Sequence, residues 1–210
     1  HAENYLIFAT IHEPGCLIEK VHSIDYNNLS DRQLVQAVLA GNTAQFRVII
    51  RRTERLVGQI IFKMVNNAED RKDITQDVYL KVFRNMAGFG FRSSLSTWVA
   101  TIAYNTCFNY LGKKKLVFSG DLYTEKDDDV GESAEGYIFQ KQQWAIISAE
   151  IDKLPPVYKT LVTLYHNEEM SYGEIAQITG LPVGTVKSYL FRARKTLKDN
   201  LLDKYKKGEL

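Results

Sequence analysis

The stretch from Ser171 to Lys195, SYGEIAQITGLPVGTVKSYLFRARK, constrains this chain more than any other. Ser171 is an N-cap type, and Glu174 follows three residues later, the register of a capping box that opens a helix. Ile175, Ala176 and Ile178 give that helix a short apolar face. Gly180 sits where a tight turn between two helices needs a residue that tolerates positive φ. Val183, Val186 and Leu190 then supply the core face of a second helix, and Ala176 is small where that helix must cross closely. The pattern predicts two helices locked across a short turn, with Thr185, Lys187, Ser188, Phe191, Arg192 and Lys195 facing outward.

A second helix of that composition suits the major groove of DNA. Its N-terminal half reaches base edges, while Arg and Lys further along hold phosphates. Residues 187–207 carry 8 basic and 2 acidic side chains, net +6, the electrostatic footprint of such a helix. A plain helical hairpin with a basic face is the alternative. The coincidence of capping box, small crossing residue, turn glycine and basic outer face favours DNA binding.

The rest of the chain also reads as helical. Leu34, Val35, Val38 and Leu39 recur at helical spacing. Gly41-Asn42 breaks the pattern, and Asn42 with Gln45 three residues on predicts the cap of a second helix. That helix carries Phe46, Ile49, Ile50, Val57, Ile60, Ile61 and Met64 on one side. Arg47, Arg51, Arg52 and Arg55 lie on the other. A third helix is expected from about Glu69 to Met86, with Ile74, Val78, Val82 and Met86 four apart and acids in its first turns. A loop marked by Gly88 and Gly90 follows. Ser93 or Ser94 then caps a fourth helix to about Leu111, with Lys113, Lys114 and Lys115 at its C-terminal end. Helical spacing resumes from Gln140, and Pro156 is placed to open a further helix. No strand-like alternation or internal repeat stands out. The fold expected is all-α: two helical domains joined by a flexible acidic linker.

Net charge over the 210 residues is only +2, but it divides into blocks. Residues 1–28 carry net −3, 29–115 net +8, 116–140 net −6 and 141–210 net +3. Two basic segments flanking an acidic one point to a polyanionic partner, although solvated helix faces would give the same totals. Cys16 and Cys107 have neither zinc-ligand spacing nor a disulfide framework, so no metal or cofactor is expected and a reducing cytoplasm fits. No apolar run approaches the roughly 18 residues of a membrane span, and no basic segment precedes an apolar one as in a secretory leader. Residues 1–28, aromatic and β-branched, stay open between a short strand, a segment packed on the first domain, and disorder.

Two further segments carry chemistry. Residues 89–115, FGFRSSLSTWVATIAYNTCFNYLGKKK, interleave aromatics with small polar residues and end in three lysines, a composition suited to stacking on unpaired bases. Trp98 reads equally well as core or contact. In residues 73–83, Asp73, Gln76 and Asp77 share one helix face, with Tyr79 and Phe83 at the next turns. That stripe is either a partner-helix site or a solvated face.

In this order and spacing, those segments resemble the extracytoplasmic-function (ECF, group 4) sigma factors of bacterial RNA polymerase. The resemblance covers residues 29 to about 203. It is carried by DITQDVYLKVF (73–83), FRSSLSTWVATIAYNTCFNYL (91–111), LPPVYKTLVTLY (154–165) and SYGEIAQITGLPVGTVKSYLFRARKTL (171–197). It implies a σ2 domain over 29–115, an acidic linker over 116–140, a σ4 domain over 141–210, and an N-terminal extension of unassigned role over 1–28. By the match, Asp73, Gln76, Asp77, Tyr79 and Phe83 contact the β′ clamp of core polymerase, and Asp77 stands where relatives more often carry Glu. A flipped base of the −10 element is captured by the loop Ala87–Ser94 and the helix after it, implicating Phe91, Arg92, Ser94, Trp98, Asn105, Lys113, Lys114 and Lys115. The tryptophan pair that housekeeping sigma factors use for melting is replaced by Thr101 and Ile102, which implies stringent strand opening. The −35 element falls to Thr185, Lys187, Ser188, Phe191, Arg192 and Lys195. Relatives often carry Arg at 187, and Lys lacks its bidentate fork to guanine.

The resemblance therefore implies a non-enzymatic, cytoplasmic bacterial initiation subunit, monomeric when free of partners and without a small-molecule substrate. Its partners would be core RNA polymerase (β′ clamp and β flap), promoter DNA and an anti-sigma factor, often membrane-bound. The linker would thread toward the polymerase channels. Two competitors differ in what they leave unexplained. A stand-alone helix-turn-helix regulator leaves the 73–83 stripe without a purpose. An enzyme using Asp73 and Asp77 as paired carboxylates lacks a phosphate loop, a metal cluster and a nucleophile–base set.

Overall fold

The computed structural model describes residues 29–117 and 146–206, and no strand occurs among them. The expectations for residues 1–28 and for most of the acidic linker lie outside the described residues. Four helices form a first group: α1 (Asp31–Leu39), α2 (Phe46–Met64), α3 (Ala68–Asn85) and α4 (Leu95–Val117). A second group comprises a helical segment over residues 146–152 (α5), α6 (Pro156–His166), α7 (Tyr172–Thr179) and α8 (Val183–Lys206).

Helix starts follow local chemistry, with one correction. The expected capping box is present at Ser171 and the expected cap at Ser94, and the structure adds a cap at Asn67, whose Oδ1 accepts from the Glu69 and Asp70 amides. A further box, Ser30 with Gln33, opens α1. Asn42, by contrast, caps nothing: a 3-10 turn over Thr43–Gln45 intervenes, and Gln45 is buried rather than reaching back to the turn. Helix α4 also runs past Leu111 to Val117, so Lys113–Lys115 lie within its last turns rather than beyond them.

The first group is packed by Leu34, Ile49, Ile60, Ile61, Met64, Met86 and Leu95, all fully buried. Leu161, Leu164, Ile175, Ile178 and Leu190 do the same for the second. Each such side chain contributes about 1.5–3 kcal/mol. Exposed pairs such as Asp77–Lys81, at 2.7 Å, contribute about 0.3–0.5 kcal/mol, so packing dominates. The spacing placed Leu39 and Val183 on apolar faces, but both are exposed, at 53% and 43%. Buried threonines are satisfied by their own helices: Thr53, Thr106, Thr160 and Thr179 each donate to the carbonyl four residues back.

The two groups touch. Helix α6 packs on α2, and α7 packs on α4. Lys63, nearly buried, pairs with Asp152 at 2.6 Å. Arg55 pairs at 2.7 Å with Glu168, whose side chain is only 5% exposed. Thr101 hydroxyl donates to the Gln177 carbonyl at 3.4 Å as well as to Thr97 at 2.9 Å. Within the second group, the buried Glu150 receives Lys153, Lys204 and Asn200, fastening the far end of α8. Burial pushes its carboxyl up, but Lys153 and Lys204 outweigh it and hold the group below the ordinary glutamate value.

Candidate nucleic-acid interface

The helix-turn-helix is built from α7, the turn at Gly180 and α8. Gly180 adopts φ +70, the left-handed conformation that favours glycine. The turn is fastened by Thr179, whose hydroxyl accepts from the Leu181 amide and donates to the Ile175 carbonyl. Pro182 O receives the first amides of α8, from Thr185 and Val186. Val186, Leu190 and Ala193 are fully buried against Ile175 and Ile178, which fixes the opposite face of α8 toward solvent.

On that face Lys187, Ser188, Phe191 and Arg192 line one shallow concavity. Phe191 is 68% exposed, with no ring or cation stacked on it among the described residues. Lys195 is exposed and Thr185 half-buried. Ser188 donates to the Gly184 carbonyl at 2.9 Å, leaving its lone pairs available. Beside this set, Tyr165 and Tyr172 stack with centroids 5.0 Å apart, and Arg194 lies over Tyr165. The sequence reading passed over those three residues, because tyrosines at helix ends read as ordinary boundary residues.

The second surface lies between α3 and α4. A 3-10 turn over Met86–Gly88 leads into a loop in which Phe91 takes φ +55. A bulky residue there costs on the order of 1–3 kcal/mol of backbone strain. Surrounding contacts hold it: the Phe91 ring lies 4.6 Å from Phe89, and the Arg32 guanidinium sits 4.4 Å above it. Phe89 in turn meets Trp98 at 5.0 Å. Gly88, Phe89, Gly90, Arg92, Ser93 and Trp98 line an open pocket beside this aromatic cluster.

Trp98 is half-buried: one part packs on Phe89 and another lines the pocket. Asn105 is exposed one helical turn and more further along α4. Ser94 is exposed, but its hydroxyl accepts from the Thr97 amide at 3.1 Å, so it is first of all the N-cap of α4. The side chains of Lys113, Lys114 and Lys115 lie outside the described ones. Arg32 was not legible in sequence, since nothing local connects α1 to a loop some 60 residues on.

The third surface is α3. Asp73, Gln76 and Asp77 are exposed on one face, and Asp77 pairs with Lys81. Tyr79 departs from the expectation. It is 5% exposed, its hydroxyl is 3.1 Å from that of Thr53, and burial pushes its phenol up to about 12. Helical spacing puts it beside the stripe, but packing turns its ring into the core, so it has no surface to offer a partner. Phe83 is half-buried, edge-on to Phe46 at 5.2 Å.

Comparison with known proteins agrees with this layout. The family model for Sigma-70 region 2 matches residues 49–117, and that for Sigma-70, region 4 matches 144–197. The chain is 31% identical over 182 residues to the ECF RNA polymerase sigma-E factor of Haemophilus influenzae, covering 82% of this chain and 96% of that protein. It is 30% identical over 180 residues to the RNA polymerase sigma-H factor of Pseudomonas aeruginosa, covering 80% and 91%. Among solved structures it resembles CnrH in complex with the cytosolic domain of CnrY, with TM-score 0.57 and 21% identity over 82% of this chain and 97% of that one. It also resembles the sigma factor RpoE bound to the anti-sigma factor NepR from Bartonella quintana, with TM-score 0.55 and 19% identity over 74% and 94%. The structural likenesses show the all-helical fold, and the sequence relatives show the family. The chain belongs to the ECF branch of the sigma-70 family of sigma factors.

Proposed function

We propose that the protein is an alternative sigma factor, which joins core RNA polymerase in the bacterial cytoplasm and directs initiation at promoters with paired −10 and −35 elements. The observation that carries this reading is the presence in one chain of two unlike surfaces, each with a composition that suits nucleic acid. One is an aromatic pocket with polar rims, suited to an unstacked base. The other is a basic, capped recognition helix suited to duplex DNA.

Residues 29–115 act as σ2 and 141–210 as σ4, with 116–140 as the linker between them. Asp73, Gln76 and Asp77, edged by Phe83, dock on the β′ clamp, and Tyr79 supports that helix from within. The pocket beside Phe91, with Arg92, Ser94, Trp98 and Asn105, takes a flipped −10 base. Capturing it must offset a few kcal/mol of unstacking, which ring contact and edge hydrogen bonds supply. Lys113–Lys115 hold the backbone of the opened strand. Thr185, Lys187, Ser188, Phe191, Arg192 and Lys195 meet the −35 duplex, while σ4 docks on the β flap. Off the polymerase the chain is a monomer held by an anti-sigma factor. The chain does no covalent chemistry of its own in this role.

Run-off transcription with core polymerase and a promoter library tests the function: promoter-selective transcripts are expected, and transcripts without promoter preference would refute it. Asp73→Lys with Asp77→Lys tests the clamp surface. Like charges brought together at an interface cost several kcal/mol, so a loss of core affinity of tenfold or more is expected on the order of that penalty. Unchanged core affinity would remove the clamp assignment.

A further inference from the structure

Beside the recognition helix stands a feature that the −35 contacts leave unused. Tyr165 near the end of α6 and Tyr172 at the start of α7 stack almost parallel, with centroids 5.0 Å apart and planes 9° apart. Both rings are half-buried and packed against the hydrophobic core, so their outer faces are fixed in space. Two cations of α8 lie over those rings. Lys187 Nζ is 5.6 Å from the Tyr172 centroid, and the Arg194 guanidinium is 5.8 Å from that of Tyr165. Seven residues separate the two cations, about 10.5 Å along the helix on one face.

Neither cation pairs with a carboxylate among the described residues, although other basic residues such as Arg55 and Lys63 do. A ring face attracts a cation without neutralising it, so the charge stays available to an anion. Arg194 also donates its Nε to the Leu190 carbonyl at 3.3 Å and hydrogen-bonds Tyr172, which leaves its remaining guanidinium donors for a ligand. The rings also restrict two long side chains whose rotamer freedom would otherwise oppose binding. Electrostatics agree. The Tyr165 hydroxyl and then Arg194 draw the Tyr172 phenol below the ordinary tyrosine value, while Tyr172 pushes the Tyr165 phenol above it.

We propose that the stacked Tyr165–Tyr172 pair is a positioning platform that holds Lys187 and Arg194 as a phosphate grip on one flank of the −35 duplex. Tyr165 and Tyr172 are positioning residues, and Arg194 is a DNA contact additional to those named above. Lys187 acts on the backbone rather than on a base, which suits an ammonium: it is a point charge without the fork that reads guanine. This inference rests on the reading of α8 as the −35 helix.

The test uses holoenzyme, assembled from core polymerase and the full chain, on a promoter duplex recovered from the run-off library, titrated over a KCl series. Tyr172→Leu keeps apolar volume but loses the ring. It should weaken binding about two- to fivefold, the scale of an exposed cation–ring contact. It should also reduce the slope of log affinity against log salt by about one, one phosphate contact being lost. Tyr172→Phe retains the ring and should restore both. Lys187→Ala should have little further effect in the Tyr172→Leu background, and discrimination among −35 base substitutions should not change. In the free chain, the Lys187 ε-methylene protons should resonate upfield over the ring and lose that shift in Tyr172→Leu. Unchanged affinity and salt slope in Tyr172→Leu, or additive losses with Lys187→Ala, would overturn the platform alone. A wild-type holoenzyme indifferent to the −35 sequence would overturn the −35 reading and this role with it.

Discussion

On the reading proposed above, the recognition helix and the aromatic pocket meet nucleic acid by opposite means. The first is regular: a capping box, a left-handed glycine and an apolar seam of fully buried residues present one face of α8 as a rigid rod. The second is irregular, a loop whose Phe91 is held at positive φ by rings from its own segment and by Arg32 from α1. The difference matches the ligands proposed for them. A duplex groove has a fixed width that a straight helix fits. An unstacked base has no fixed position until something holds it, so the protein must supply the shape in advance. One surface is built on packing energy, and the other holds backbone strain against surrounding contacts.

That contrast can be broken. The largest effect should come from Leu190→Ala, which empties a fully buried site under the recognition helix. A loss of about 2–5 kcal/mol is expected in urea unfolding, with −35 recognition failing as the seam loosens. A smaller loss would mean that α8 is held by something other than its seam.

Phe91→Gly should behave differently. Glycine relieves the positive φ as the ring contacts are lost, so stability should shift by only about 1 kcal/mol. Transcription dependent on the −10 base should fall by about 1–3 kcal/mol in apparent promoter affinity, the worth of one stacked base. Arg32→Ala should reproduce part of that loss while leaving −35 discrimination intact. Equal damage to stability and promoter opening would erase the distinction between the two surfaces.

Arg192→Ala should remove about 1–3 kcal/mol of discrimination at one −35 position, read by comparing substituted promoters, with folding unaffected. The smallest effect expected is that of Glu174→Gln at the cap of α7. Hydrogen bonds from the Ser171 side chain and backbone hold the Glu174 carboxyl below its ordinary value. Its contribution is therefore present above the unfolded value and is lost as pH falls through the depressed folded one. Urea midpoints measured down a pH series should show that acid-dependent component shrinking in the variant, by a few tenths of a kcal/mol for an exposed group.

Legibility in the sequence followed the same division. Where the code is local, it could be read: the box at Ser171, the cap at Ser94, Gly180 at φ +70, and the α8 seam at Val186 and Leu190 all depend on residues within a turn or two of one another. Where a residue's fate depends on a distant element, local spacing misled. Tyr79 lies one helical turn from Gln76, at the edge of the stripe, but Thr53 and Phe46 on α2 draw its ring inward. Val183 has the periodicity of the seam, yet at the first position of α8 it is exposed. Asn42 has the chemistry of a cap, but the chain uses a 3-10 turn there.

The sequence alone determined that the described parts are helical, where most helices begin, and which face of α8 carries its outward basic residues, because caps, apolar spacing and turn glycines act through short-range sterics and hydrogen bonds. Only the tertiary structure decided that Arg32 completes the Phe91 cluster, that two tyrosines flank the recognition helix, and that α7 lies on α4 with Thr101 bonded to Gln177. Those are contacts between residues tens of positions apart in the chain. Which of them form is settled by how two apolar helix groups pack, and no local pattern encodes it.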